Sequence, residues 1–178
     1  MSFIAENRFI VEDGTGLADA TSYATVEDAD DYLVVNPHAW SAWADLPASA
    51  KEYLLRWATR ELDQRARWQG RKTVANSALA WPRAFVPGTE CRFLASDAVP
   101  LQVKQATIEM ARLLLDRDPG TDRGQDGLKE LEVDVIKLVF DESYRLPEVP
   151  RSVIYLLRGL VVSFSNGTKT QSATIVRA

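Results

Sequence analysis

One cysteine, Cys91, and one histidine, His38, are all this chain has of the two residue types that dominate transition-metal and thiol chemistry. A single thiol makes no internal disulfide, and so few nitrogen and sulfur donors argue against a zinc site. His38 has no acid and serine arranged around it in any recognisable order, so it is not read as a catalytic base. No catalytic residue, no metal and no cofactor are expected, and the chain is read as non-enzymatic. Long hydrophobic runs are missing too, since no window approaches the roughly 18 apolar residues of a membrane span. The opening residues, MSFIAENRFIVEDG, lack the basic-then-apolar order of a secretory leader. The expectation is a soluble protein made in the cytoplasm, with no membrane partner.

Charge of one dominant sign is also lacking: the net charge is −4 over 178 residues, but it is distributed in blocks. Residues 1–48 hold nine acids and one base, and 49–83 hold eight bases and three acids. Residues 84–148 hold thirteen acids and eight bases, and 149–178 hold four bases and no acid. Such blocks suit pairing within a subunit or between copies better than the single basic face of a simple nucleic-acid binder. With 46% hydrophobic and 26% charged residues, the chain has an ordinary globular composition and enough length for one domain with a core.

What is present centres on residues 49–83. Tyr53, Leu54, Trp57, Ala58 and Leu62 recur at helical steps and predict one apolar stripe. On the opposite side Glu52, Glu61 and Asp63 each precede an arginine by four residues (Arg56, Arg65, Arg67), an order worth about 0.2–0.5 kcal/mol per pair. Gly70 ends the period, and Trp81-Pro82 predicts an extended step, because proline disfavours a helical residue before it. Trp57, Leu62, Trp68, Trp81, Pro82 and Met110 are the candidate structural core.

Upstream, Glu12-Asp13-Gly14-Thr15-Gly16 has the glycines of a phosphate loop but neither a strand-to-helix setting nor a following Lys-Ser/Thr, so 1–24 is read as an ordered arm. Thr25 and Asp28 form a capping-box pattern that predicts a helix over 26–35. Its acids Glu27, Asp28, Asp30 and Asp31 spread around the helix, as a solvated face does and a metal site does not. Asn36-Pro37 ends it, and Trp40 and Trp43 at three-residue spacing fit a short helical turn. Pro47 opens the central helix. Downstream, Val103, Ala106, Thr107, Met110, Leu113 and Leu114 predict a second apolar helix over 100–117. Residues 128–140 are β-prone and predict one or two strands. Val153 to Leu160 predict a last short helix. Beyond it, Asn166-Gly167 between β-prone runs signals a hairpin, or else the tail is an extended arm. The fold class expected is mainly α: a small helical bundle with a short β-hairpin insertion and an extended or β-forming C-terminal arm. The divisions are an arm at 1–24, a helical domain at 25–158 and an arm at 159–178.

Several segments together resemble a family. They are Glu12-Asp13-Gly14-Thr15-Gly16, Ala20 with Ser22-Tyr23, Ala29-Asp30 with Tyr32, Ala58-Thr59, Leu62-Asp63, Arg67-Trp68-Gln69-Gly70-Arg71, Leu79-Ala80-Trp81-Pro82-Arg83, and Pro100 through Ala111. The resemblance, over roughly residues 8–115, is to the head-to-tail adaptors of tailed bacteriophages, also called connector or head-completion proteins. Some of these carry the label Putative DnaT-like single-stranded DNA-binding protein. It implies a structural virion protein of the neck, expected as a twelve-fold ring of self-copies docked on the portal protein. Such a ring extends the channel for genomic double-stranded DNA and presents a surface to a further neck or tail-side protein. The C-terminal arm, with Arg158, Phe164, Lys169, Ile175 and Arg177, is the expected portal contact. The alternative is a single-stranded DNA-binding protein of phage replication. The cations available to it are Arg65, Arg67, Arg71, Lys72 and Arg83, of which Arg67, Arg71 and Lys72 are the candidate contacts, with Trp68 and Trp81 as the available aromatics. Pairing of Asp63 with Arg67 and packing of the Trp-Pro corner weigh against it, so the adaptor is the first expectation.

Overall fold

The computed structural model describes residues 8–88, 92–118, 130–133, 136–139 and 149–165. Along them run α1 (Val26–Leu33), α2 (Pro37–Ala44), α3 (Ala48–Arg65), β1 (Ala66–Trp68), β2 (Arg71–Lys72), β3 (Arg83–Ala84), α4 (Leu101–Asp116), β4 (Glu130–Val133), β5 (Ile136–Val139), α5 (Arg151–Leu156) and β6 (Val161–Phe164). The architecture is mainly α with a short β insertion. Among the described residues no helix is long and apolar enough to cross a membrane.

α1 starts where its first turn finds acceptors. Asp28 N donates to Thr25 Oγ1 at 2.9 Å and Thr25 N donates back to Asp28 Oδ2 at 3.2 Å, a closed capping box. The helix stops at Leu33, short of the expected Val35, because Asn36 turns to cap α2 with its side chain. Trp43 is fully buried and Trp40 is half-buried against it.

α3 and α4 form the principal helix pair, and α5 also packs on α4. On α4 the buried residues include Val103, Ala106, Thr107, Met110 and Leu114, as the spacing predicts, joined by Ile108 and Ala111. On α3 the buried stripe differs from the one expected. It comprises Leu55, Ala58, Thr59 and Leu62 with Lys51 and Glu61, while Tyr53 is 53% exposed and Leu54 and Trp57 are half-buried. The stripe is rotated because two charged residues are buried with partners. Lys51 Nζ donates to Asp30 Oδ1 at 2.9 Å beside Trp40 and Trp43. Glu61 accepts from Arg65 at 2.8 Å and from Trp57 Nε1 at 3.2 Å. Paired charges enter a core that lone ones avoid.

The strands are short and all antiparallel. β1 pairs with β6 in the register Ala66↔Phe164, Arg67↔Ser163 and Trp68↔Val161. β2 pairs with β3, Arg71↔Ala84 and Lys72↔Arg83. β4 and β5 make a hairpin, Glu130↔Val139 through Val133↔Ile136. Of the two forms expected for the tail, extended or β-forming, Val161–Phe164 takes the second and pairs with β1 of the same chain. Leu157 and Leu160 are buried, Val161–Phe164 is a strand of the chain's own sheet, and Ser165 N donates to Arg65 O at 2.7 Å. A backbone engaged in a ladder at home cannot offer those groups to another protein. The Asn166-Gly167 turn, Lys169, Ile175 and Arg177 lie outside the described residues.

The N-terminal segment from Arg8 lies on the domain. Glu12 N donates to Ser22 O at 2.9 Å, and Tyr23 and Ala24 are fully buried.

A candidate nucleic-acid interface

The chain leaves α3 at Arg65 and becomes extended, so the side chains alternate: Ala66 in, Arg67 out, Trp68 in. Gly70 then turns the strand at φ +66°, where an added Cβ would run into the Ala84 carbonyl oxygen. Only glycine meets both demands there. The turn delivers Arg71 and Lys72, both exposed, on β2.

β3 brings back a second exposed group. After Arg83–Ala84 the chain alternates again, with Phe85 56% exposed and Val86 fully buried. Phe85 holds a left-handed φ of 59°, uncommon for an aromatic residue and characteristic of sites where surroundings over-determine the backbone. Two backbone hydrogen bonds, Gly88 N to Arg92 O at 2.7 Å and Leu94 N to Val86 O at 3.0 Å, fold the next segment back. That places Phe93, 66% exposed, against Phe85 with ring centroids 5.9 Å apart and planes at 82°. The Arg71 guanidinium carbon stands 4.8 Å from the Phe85 centroid. At the surface a cation over a ring gains about 0.5–1 kcal/mol. Arg92 is exposed beside Phe93 in sequence. Among the described residues neither Arg67 nor Arg71 is paired with a carboxylate. Two exposed phenyl rings, one of them beneath the Arg71 guanidinium, suit a ligand that has flat heterocycles and anionic linkages.

Beneath this surface a buried clamp fixes the two strands. The Tyr23 hydroxyl lies 2.8 Å and 2.9 Å from the Asp63 carboxylate oxygens and donates to that group. Trp68 Nε1 donates to Asp63 Oδ1 at 3.2 Å, and Ala80 N lies 2.9 Å from both Asp63 Oδ2 and the Tyr23 oxygen. Trp81 N reaches the same phenol oxygen at 3.2 Å. Burial raises the carboxyl of Asp63 above its usual range, against the pull of its donors and of Lys72, and burial with Asp63 nearby raises the Tyr23 phenol well above its own. Arg83 closes the turn from outside, donating to Gln69 O at 2.6 Å, Gly70 O at 2.8 Å and Ala80 O at 3.1 Å.

The residues singled out from sequence divide accordingly. Leu62, Trp81 and Met110 are fully buried, Trp68 and Pro82 are buried, and Trp57 is half-buried. Trp68 and Trp81 pack edge to face at 5.8 Å inside the clamp, so neither is a surface platform. Asp63 does not pair with Arg67 as the four-residue spacing predicts; the clamp takes its carboxylate, and Arg67 is left facing solvent. Arg67, Arg71 and Lys72 all lie on β1 and β2, with Lys72 Nζ donating to Ser77 O at 3.0 Å. Arg158 is exposed after α5, and Phe164 is half-buried opposite Ala66. The Trp81–Pro82 peptide is cis. Phe85, Phe93 and Arg92 were not found from sequence, where residues 84–96 read as irregular. No signal in the sequence marks them, since Arg83-Ala84-Phe85-Val86 is one charged residue followed by three apolar ones with no alternation.

Two other places were possible sites and neither suits an anionic polymer. The Gly14-x-Gly16 loop is filled by its own side chain: the Glu12 carboxylate accepts from the N–H groups of Gly14 (3.0 Å), Gly16 (2.8 Å) and Leu17 (2.9 Å). A cleft of about 270 Å³ between α1 and α4 is lined by Asp28, Asp31, Tyr32, Leu101, Lys104, Gln105 and Ile108. Its one cation, Lys104, is already held by Asp28 at 3.2 Å.

Comparison with known proteins gives one family, described as Putative DnaT-like ssDNA binding protein, which matches residues 7–178. No curated protein matches, and no solved structure matches. The match runs through the tail, beyond the 8–115 that carried the resemblance. It overturns the first expectation. The family's description names a single-stranded DNA binder, not a virion neck component. The ring-forming adaptor reading falls with it, and so do portal protein, tail-side protein, twelve-fold self-assembly and a double-stranded DNA channel as partners. The physical reasons agree: the segment assigned to gripping a portal is a strand of the chain's own sheet through Phe164, and among the described residues Arg71, with no carboxylate paired to it, stands over the exposed Phe85 ring.

Proposed function

The chain belongs to the Putative DnaT-like ssDNA binding protein family, and from that premise we propose that it binds single-stranded DNA without catalysis, on the face formed by β1, β2, β3 and the loop carrying Phe93. One observation supports the reading above all others. Arg71, Phe85 and Phe93 form a contiguous, solvent-facing cluster, the guanidinium over Phe85 and the two rings edge to face. Binders of unpaired strands combine cations that track the phosphates with aromatic faces that take the bases, each stacked base being worth about 1–3 kcal/mol. Arg67, Arg71 and Lys72 supply the first component, and Phe85 and Phe93 the second. Duplex DNA keeps its bases stacked inside and offers such rings nothing to take.

The test is a fluorescence-anisotropy titration of a labelled single strand and of the same strand annealed to its complement, at several salt concentrations. Single-strand binding that weakens linearly in log–log form with salt, together with weaker duplex binding, is the expected result. No retention of the single strand at low salt rejects the proposal.

A further inference from the structure

The angle between the two exposed rings constrains which strand this face accepts. Phe85 and Phe93 have centroids 5.9 Å apart but planes inclined at 82°. Bases lying flat on both rings are therefore close to perpendicular to one another. Consecutive bases of a stacked strand are parallel, so the strand cannot keep its own stacking and use both rings. The step bridging Phe85 and Phe93 has to be opened.

Both rings are held in this relation from below. Gly70 and the Arg83 side chain fix the turn against β3, Val86 is buried next to Phe85, and the hydrogen bonds Gly88 N to Arg92 O and Leu94 N to Val86 O fix Phe93. The two faces are also chemically unequal. Arg71 stands over Phe85, so an arriving base meets a planar cation there, while Phe93 is open, with no cation over it among the described residues.

We infer that the preferred ligand of this face is a thymine-rich, unstacked single strand, bent at the step that spans Phe85 and Phe93, and that runs of adenine are disfavoured. The inference rests on the proposed single-stranded DNA binding. Its physical basis is the strand's own stacking: adenines stack strongly on each other and must be pulled apart, whereas thymines stack weakly and arrive already apart. Sequence preference in such binders comes from stacking strength and backbone flexibility rather than from hydrogen-bonded readout.

The experiment is an anisotropy titration of the full chain with oligo(dT) and oligo(dA) of about 20 nucleotides, long enough to cover an ordinary single-strand site. Oligo(dT) is expected to bind roughly five- to tenfold more tightly, as a preference set by stacking alone. Phe93→Leu, which keeps an apolar side chain but removes the ring, should bring the ratio close to one, and Phe93→Tyr should restore it. Circular dichroism of each variant checks that it is folded, which the exposure of Phe93 favours. Equal binding of the two strands, tighter binding of oligo(dA), or a preference that survives in Phe93→Leu overturns the inference and leaves single-strand binding standing. Failure of both strands to bind rejects the proposed function itself, and the inference with it.

Discussion

The Tyr23 hydroxyl donates to the Asp63 carboxylate at 2.8 Å across 40 residues of chain, and the same phenol oxygen receives the backbone N–H of Ala80 and of Trp81. The N-terminal segment, the C-terminal end of α3 and the Trp-Pro corner are thus tied through one oxygen. Tyr23→Phe keeps the ring and removes that oxygen. Trp81 N then loses its acceptor in a buried place, at a cost of about 1–3 kcal/mol. Asp63→Ala strips Trp68 Nε1 as well as the phenol, and about 2–4 kcal/mol is expected for leaving buried donors of a network unpaired. Urea unfolding of both single variants and the double variant checks this. Because they share one network, the double should cost less than the sum, and strict additivity would show that the clamp is not a unit.

Asp63 also gives stability a pH dependence opposite to that of most carboxylates. Burial raises its folded-state pKa above the 3.8 of an unperturbed aspartate. Between 3.8 and that raised value the folded chain holds a proton that the unfolded chain has released, so this group's contribution is full below 3.8 and is lost as pH rises through the folded pKa. Asp63→Asn cannot titrate. Wild-type stability relative to Asp63→Asn should therefore decline as pH rises from about 3.5 toward neutrality, measured by parallel urea titrations. A gap that widens with pH would mean the donors around the carboxylate outweigh its burial.

Which parts could be seen in the sequence follows from the range of the forces involved. Capping at Thr25 and Asp28, the apolar spacing of α4 and a β pair within 128–140 are local signals, and the structure has elements at each. The end of α3 is earlier than Gly70, where the sequence pattern ends the period: the helix closes at Arg65 and Ala66–Trp68 is already a strand. The buried face of α3 was misplaced because Lys51 enters the core through Asp30, 21 residues away, and no window around Lys51 contains that information. The pairing of β1 with β6 joins residues almost 100 apart in number, so the β-prone character of the tail shows in the sequence but its partner strand does not. The cations of the candidate site, Arg67, Arg71 and Lys72, were visible as a charge block. Its aromatics were not: the indoles stand out by their size, and burial of Trp68 and Trp81 leaves the role to Phe85 and Phe93, which become neighbours only through the backbone hydrogen bonds of Gly88 with Arg92 and of Leu94 with Val86.

Gly70 sits where stability and the candidate site depend on the same atom. Its φ of +66° is strained for any other L-residue, and a methyl group there meets the Ala84 carbonyl and the Val86 side chain. Gly70→Ala should cost about 1–3 kcal/mol. Because β2 must shift away from β3 to make room, Arg71 leaves Phe85. Single-strand affinity should then fall at temperatures where the variant is still folded. Unchanged affinity in a folded Gly70→Ala protein would detach Arg71 from the site.

Glu12 is a buried anion whose partners are backbone N–H groups of its own loop. Glu12→Ala orphans the N–H groups of Gly14, Gly16 and Leu17, and a loss of about 2–4 kcal/mol is expected from unmade bonds to a charged acceptor. Glu12→Gln keeps one oxygen acceptor and should lose less. Thermal unfolding of the two variants against wild type orders them. If added phosphate stabilises the alanine variant and not the wild type, the loop is an anion cradle that the protein's own carboxylate normally occupies.

The salt dependence of binding separates phosphate contacts from stacking. Each cation that displaces a counterion from a single strand contributes about 0.7 to the slope of log affinity against log salt. Arg67→Gln, Arg71→Gln and Lys72→Gln should each flatten that slope by about this amount if each meets a phosphate. Phe85→Leu should weaken binding with the slope intact, since stacking releases no counterions. Arg71 stands over Phe85 as well as beside the strand, so its loss should do both. Lys104, paired with Asp28 in the α1–α4 cleft, serves as the control, and Lys104→Gln should change neither quantity. A slope that responds to Lys104 as much as to Arg67 would mean that the whole chain's charge draws the strand in and that no particular face binds it.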